Sequence, residues 1–146
     1  MGNHTKLRNV NRGYMQLDVW QKGIDLYKLV WLLLSEIKLD FNLRSQIADA
    51  AQSVPANIAE GYSRRSIKEY IQHIYIVLGS LSELLTRIVA LKEAGQISSG
   101  QYDQIDLLHY EVENKLWALL KSLESKKEEG TWIDRVTEES PEYNSQ

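Results

Sequence analysis

At 146 residues, 43% of them hydrophobic and 25% charged, the chain is long enough and apolar enough for one globular domain with a substantial core. It has no cysteine, which excludes disulfides, thiolate catalysis and thiolate metal sites. The net charge of −3 belongs to residues 124–146, with seven acidic and three basic side chains; the other 14 basic and 13 acidic residues lack the basic excess of a typical nucleic-acid-binding domain.

Residues 1–16, with Lys6, Arg8 and Arg12, read as a flexible, mildly basic arm without the apolar segment of a signal peptide. The longest aliphatic and aromatic run, Leu29 to Leu34, is too short to span a bilayer. We therefore expect a cytoplasmic protein with no membrane contact. Helix one is predicted from Asp18 to about Leu39, with Trp20, Ile24, Tyr27, Trp31 and Leu34 as its buried stripe. Leu29, Val30, Leu32 and Leu33 add a second apolar surface, which points to self-association.

Asp40–Asn42 reads as a connection, and helix two covers about Leu43 to Glu60. Ile47, Ala50, Ala51, Val54 and Ile58 face inward. Pro55 has no N–H to donate, so the pattern predicts a kink or restart there. Gly61 is expected to close the helix in the left-handed conformation. Ser66-Ile67-Lys68-Glu69 has the form of a capping box for helix three, which runs to Ala94 and ends at Gly95. Its expected core stripe is Ile71, Ile74, Tyr75, Leu78, Leu81, Leu85, Ile88 and Val89, with Ile76, Val77, Leu84 and Leu91 widening it. Gly79 in mid-helix suggests a tight helix contact, since glycine costs about 1 kcal/mol there relative to alanine. Helix four is expected over Gln101 to Lys126, with Tyr102, Ile105, Leu108 or His109, Val112, Leu116, Leu119, Leu120 and Leu123 inward. Residues 128–146 read as an acidic, disordered tail, with Trp132 a candidate to dock it on the body. Short connections make residues 17–127 an all-α, up-down-up-down antiparallel four-helix bundle with helix two kinked at Pro55.

Ser53, Asn57 and Glu60, four and three apart, share one helix face. A turn centred near Ser63 brings Arg44 level with Glu83, and Gln46 with Ser80 or Leu81. We expect a polar seam of Gln46, Ser53, Asn57, Glu60, Ser80 and Glu83, with Arg44 and Arg87 as charge partners, fixing the register of the two helices. Arg64, Arg65 and Lys68, with Tyr62 beside them and Arg44 near, form the candidate nucleic-acid patch: guanidinium groups hold phosphates and an aromatic ring stacks a base. Asp106 to His109 is the one acid-x-x-His unit, and Glu69 to His73 is wrongly spaced, so no di-metal site is expected and both histidines are placed on helix flanks. No phosphate loop, nucleophile elbow or triad spacing is present, and no enzyme, cofactor or small-molecule substrate is expected.

Gln46-Ile47, then Ser53-Val54-Pro55-Ala56-Asn57-Ile58-Ala59-Glu60-Gly61, then Gly79-Ser80-Leu81-Ser82-Glu83-Leu84 resemble the signature of the bacterial four-helix-bundle family known as 23S rRNA intervening-sequence proteins. Val19-Trp20-Gln21-Lys22 resembles the family's start of helix one. The resemblance implies a non-enzymatic bundle that assembles as a homopentamer, with RNA or a nucleic-acid-handling protein as partner. A relative, the accessory variability determinant of diversity-generating retroelements, is a basic pentamer that binds nucleic acid and a reverse transcriptase; its strong positive charge has no counterpart here.

Overall fold

The computed structural model describes residues 12–132. The expectations for residues 1–11 and 133–146 lie outside the described residues. A 3-10 turn, Gly13–Gln16, leads into four α-helices: α1 (Asp18–Glu36), α2 (Phe41–Tyr62), α3 (Ile67–Glu93) and α4 (Ser99–Glu129). No strand occurs among the described residues, so the fold is an all-α four-helix bundle.

Local sequence sets the helix boundaries. The Ser66 hydroxyl accepts from the Glu69 N–H at 3.2 Å, which forms half of the expected capping box. The complete box is at Ser98: its hydroxyl accepts from the Gln101 N–H at 3.0 Å, and the Gln101 side chain accepts from the Ser98 N–H at 2.8 Å. This starts α4 two residues before the expected position. Gly95 ends α3 with φ 75°, and the Gln96 N–H reaches the Leu91 carbonyl at 2.9 Å, closing a Schellman turn.

The cross-helix pairs show how the helices run. Asp18 meets Lys115, Lys22 meets Glu111 at 3.3 Å, and Gln101 reaches Glu36 at 3.3 Å, so α1 and α4 are antiparallel neighbours. Tyr75 with Glu124 and Lys92 over the Tyr102 ring give the same sense for α3 and α4. Gly23 of α1 lies against Val54 and Pro55 of α2, and Gly61 of α2 against Tyr70 and His73 of α3. The core between them is aliphatic, with Leu26, Leu34, Ile47, Ile58, Ile74, Leu81, Ile88, Ile105, Leu116 and Leu120 almost fully buried. By length and composition α3 is apolar enough to cross a membrane, unlike the run Leu29 to Leu34. Of its most apolar stretch 33% is buried in the bundle core, Ile74, Val77, Leu81, Leu84 and Ile88 among the buried residues.

Several expectations are corrected. The buried face of α1 is Val19, Gly23, Leu26, Val30, Leu33 and Leu34, while Trp31 is exposed. On α3, Val77, Leu84 and Leu91 are core and Tyr75 is half exposed. Both helices are apolar over more than one stripe, so periodicity alone did not select the inward one. Of the kink or restart expected at Pro55, the restart does not occur: α2 is one helix with Pro55 buried inside it. Gly61 does not take the left-handed conformation but lies within the last turn of α2. A Cβ there would stand 2.6 Å from His73 Cβ, so its requirement is close approach to α3. Gly79 is the reverse case, with nothing within 4 Å of a Cβ built on it.

Candidate interaction surfaces

The turn between α2 and α3 presents Arg64, Arg65 and Lys68 to solvent. Arg64 is engaged by Glu60 one helical turn earlier, at 2.5 Å, and His73 approaches the same carboxylate at 3.5 Å. The hydrogen bond from Arg64, with His73 adding to it, holds the Glu60 carboxyl below its ordinary pKa. Tyr62 is not free to stack a base. Its ring sits edge-on between Tyr14 at 6.4 Å and Tyr70 at 6.0 Å, in a relay that continues to Trp20 and Trp132. Arg44 lies at the far end of α2, about 27 Å away at 1.5 Å per residue. There its guanidinium donates to the carbonyls of Leu34 and, at 3.0 Å, Ile37, closing the C-terminus of α1. The predicted nucleic-acid constellation is thus divided: three exposed cations remain together, while the ring and the fourth cation serve the fold.

The polar seam also comes apart. The Ser53 hydroxyl donates to the Ala50 carbonyl at 3.0 Å, and the Asn57 amide to the Ser53 carbonyl at 2.9 Å, both within α2. Gln46, Glu60 and Glu83 are exposed, and Ser80 is half-buried. Glu83 faces Arg87 on its own helix at 3.6 Å, while Arg44 caps α1. The cause is register: Gly61 lies against Tyr70 and His73, so the hairpin is centred several residues past Ser63. The Glu60–His73 contact is what joins the motif across the two helices.

His109 is not on a flank. It is buried, with Nε2 bonded to the Leu81 carbonyl at 2.7 Å, and so ties α4 to α3. His73 uses Nδ1 on the Glu69 carbonyl of its own helix at 2.9 Å. Among the described residues no three His, Asp or Glu side chains converge as a metal site would require.

What the outer surface does carry is apolar. Tyr27 and Trp31 lie with ring centroids 6.2 Å apart on α1, and Leu32 is exposed beside them. Tyr75 and Ile76 are half exposed on α3. Leu107, Tyr110 and Trp117 are exposed on α4. Spacings of three and seven residues mark this outward stripe of α4 in the sequence beside the inward one that was expected.

A search of curated proteins finds no match. Among solved structures the chain is similar to a protein of unknown function from the S23 ribosomal protein family of Bacteroides thetaiotaomicron. The identity is 22% with a TM-score of 0.65, covering 70% of this chain and 95% of that one. The likeness is one of fold. The model of the 23S rRNA-intervening sequence protein family matches residues 15–118, which include all four helices through most of α4, and the chain belongs to that family.

Proposed function

We propose that this is a non-catalytic interaction protein that acts as an assembly of its own copies and, so assembled, holds a further partner. The observation that carries the reading is the set of apolar side chains left outside the core. Single exposed leucines are ordinary, but here aromatic and aliphatic groups cluster on the outer faces of α1, α3 and α4. The chemistry available for catalysis is thin, since the buried histidine and the Glu60–Arg64–His73 group are each engaged in holding the fold. Light scattering on the purified chain at micromolar concentration tests the reading. A particle of several copies supports it, and a monomer overturns it.

RNA is the first partner to test, because the family is named for its rRNA setting. Binding through Arg64, Arg65 and Lys68 would weaken steeply with salt, since each neutralised phosphate releases counterions. Failure to retain rRNA fragments at low salt removes RNA as a direct ligand and leaves a protein partner.

A further inference from the structure

The last fourteen residues hold the whole of the chain's net charge. Residues 133–146 contain Asp134, Glu138, Glu139 and Glu142 against Arg135 alone, a balance of −3, while the other 16 acidic and 16 basic side chains, in residues 1–132, cancel. The structure fixes where this acidic segment starts. Gly130 takes the left-handed conformation with φ 71°, and the Thr131 N–H reaches the Lys126 carbonyl at 3.0 Å, which turns the chain off the α4 axis. Lys126 Nζ then lies 5.7 Å from the centre of the Trp132 ring, and that ring meets Tyr70 edge-on with centroids 6.2 Å apart. Tyr70 is in the first turn of α3, two residues after Lys68 and five after Arg65. The acidic segment is therefore released beside the basic turn.

Two cations of that turn stand open. Arg64 is taken by Glu60 at 2.5 Å, whereas Arg65 and Lys68 are exposed and form no ion pair among the described residues. The start of α3 also carries the positive end of its helix dipole, which favours carboxylates over cations there. We infer that the acidic segment 133–146 docks on Arg65 and Lys68 of its own chain. Reach does not limit the contact: Glu138 and Glu139 are six and seven residues beyond Trp132, about 20 Å of extended chain. Exposed ion pairs are individually weak and screened by salt. A short linker nevertheless holds these partners at a millimolar effective concentration, so several weak pairs act together and the contact is reversible. Resting on the reading of this turn as an RNA-binding surface, the segment occupies the cations that a phosphate chain needs, and RNA binds there by displacing it.

The full-length chain serves for the test. A water-soluble carbodiimide, which joins an ammonium directly to a carboxylate, should link Lys68 to Glu138 or Glu139. Mass spectrometry of mixed isotope-labelled and unlabelled chains should show the link to be internal, and about 1 M salt should abolish most of it. Links confined to Lys126 and Lys127, the lysines nearest in sequence, or links only between chains, overturn the inference. In parallel, Asp134→Asn, Glu138→Gln, Glu139→Gln and Glu142→Gln together should tighten binding of a short single-stranded RNA about fivefold at low salt. Removing four charges at the opposite end of the bundle, as Glu36→Gln, Asp40→Asn, Glu93→Gln and Asp103→Asn, should change it less than about twofold, because those groups lie beyond the screening length. Equal gains from the two variants would show a general charge effect and overturn the inference. If the Lys68 link forms and neither variant retains RNA, the docking stands and the RNA reading fails. If RNA binds this turn equally with and without the four acidic groups and no Lys68 link forms, the docking fails and the RNA reading stands.

Discussion

Two glycines in the chain's most distinctive motifs have opposite surroundings and should respond oppositely to one added methyl group. Gly61→Ala forces a Cβ to within 2.6 Å of His73 Cβ, between two helix backbones with little room to part. It should lower stability by about 1–3 kcal/mol. Gly79→Ala meets nothing within 4 Å and removes a glycine from a helix interior. It should raise stability by about 0.5–1 kcal/mol. Thermal melts of the two variants, made at a concentration where assembly does not change, read both signs directly. His109 is the buried polar group whose loss should be felt most. Leu81 is in mid-helix, so its carbonyl keeps an in-helix donor when the imidazole is removed, and the cost comes from the lost bond plus the space vacated. His109→Ala should lower stability by about 2–4 kcal/mol in urea titrations with an unchanged slope, and His109→Leu, which refills most of the space, by about 1 kcal/mol.

At the level of the helices, the N-terminus of α1 is tied to α4 by Asp18 and Lys115, which gives the bundle a defined pH response. The hydrogen bond from Lys115 holds the Asp18 carboxyl below its ordinary value of 3.8, and the same bond holds the Lys115 ammonium above 10.5. A depressed carboxylate stabilises the fold above its unfolded pKa and ceases to do so as pH falls through the folded one. A raised ammonium stabilises below its unfolded pKa and ceases to as pH rises through the folded one. The pair therefore contributes across the neutral range. Asp18→Asn should melt lower than the native chain from about pH 5 to 9, with the two curves converging as the carboxyl protonates in acid, and 1 M salt should narrow the gap.

Helix number and type were legible because long periodic segments and the boundary residues Ser66 and Gly95 agree with one another. The inward face of α2 was legible too, since alanines and polar residues leave it only one apolar stripe, whereas on α4 the inward stripe was legible and the outward one of Leu107, Tyr110 and Trp117 was not read. On α1 and α3 apolar residues surround much of the helix, and burial is decided by what packs there, a tertiary property. The candidate site failed on register. The roles of Arg44, Tyr62 and Gly61 depend on where α2 meets its neighbours, and a shift of a few residues in one hairpin turns a shared polar seam into two sets of local hydrogen bonds.

Over the whole molecule, the described ends of the chain lie at the same end of the bundle, joined through two intervening tyrosine rings. The segment before α1 enters through Tyr14, and the segment after α4 leaves through Trp132. Tyr62 and Tyr70 join them, with successive ring centroids 6.4, 6.0 and 6.2 Å apart. Met15 is further held by the Gln21 side chain at 2.9 Å. Edge-on aromatic contacts of this kind each add about 0.5–1.5 kcal/mol beyond the area they bury, so the relay acts as a clasp over the end of the bundle where α1 begins and α4 finishes. Because α1 and α4 are already neighbours, the closed ring of helices does not depend on where the chain is cut. Joining residue 132 to residue 12 through a flexible linker of about eight residues, which extends to about 27 Å, and opening the chain between the exposed Arg64 and Arg65 should leave the bundle intact. The permutant should keep the native helical circular dichroism and melt about 5–10 °C lower, with its tryptophan fluorescence still reporting a packed Trp132. Opening instead between Gln52 and Ser53, inside α2, severs a helix that contacts both α1 and α3, and that chain should not fold. If the Arg64–Arg65 permutant also fails, the two ends do not come together as the aromatic relay requires.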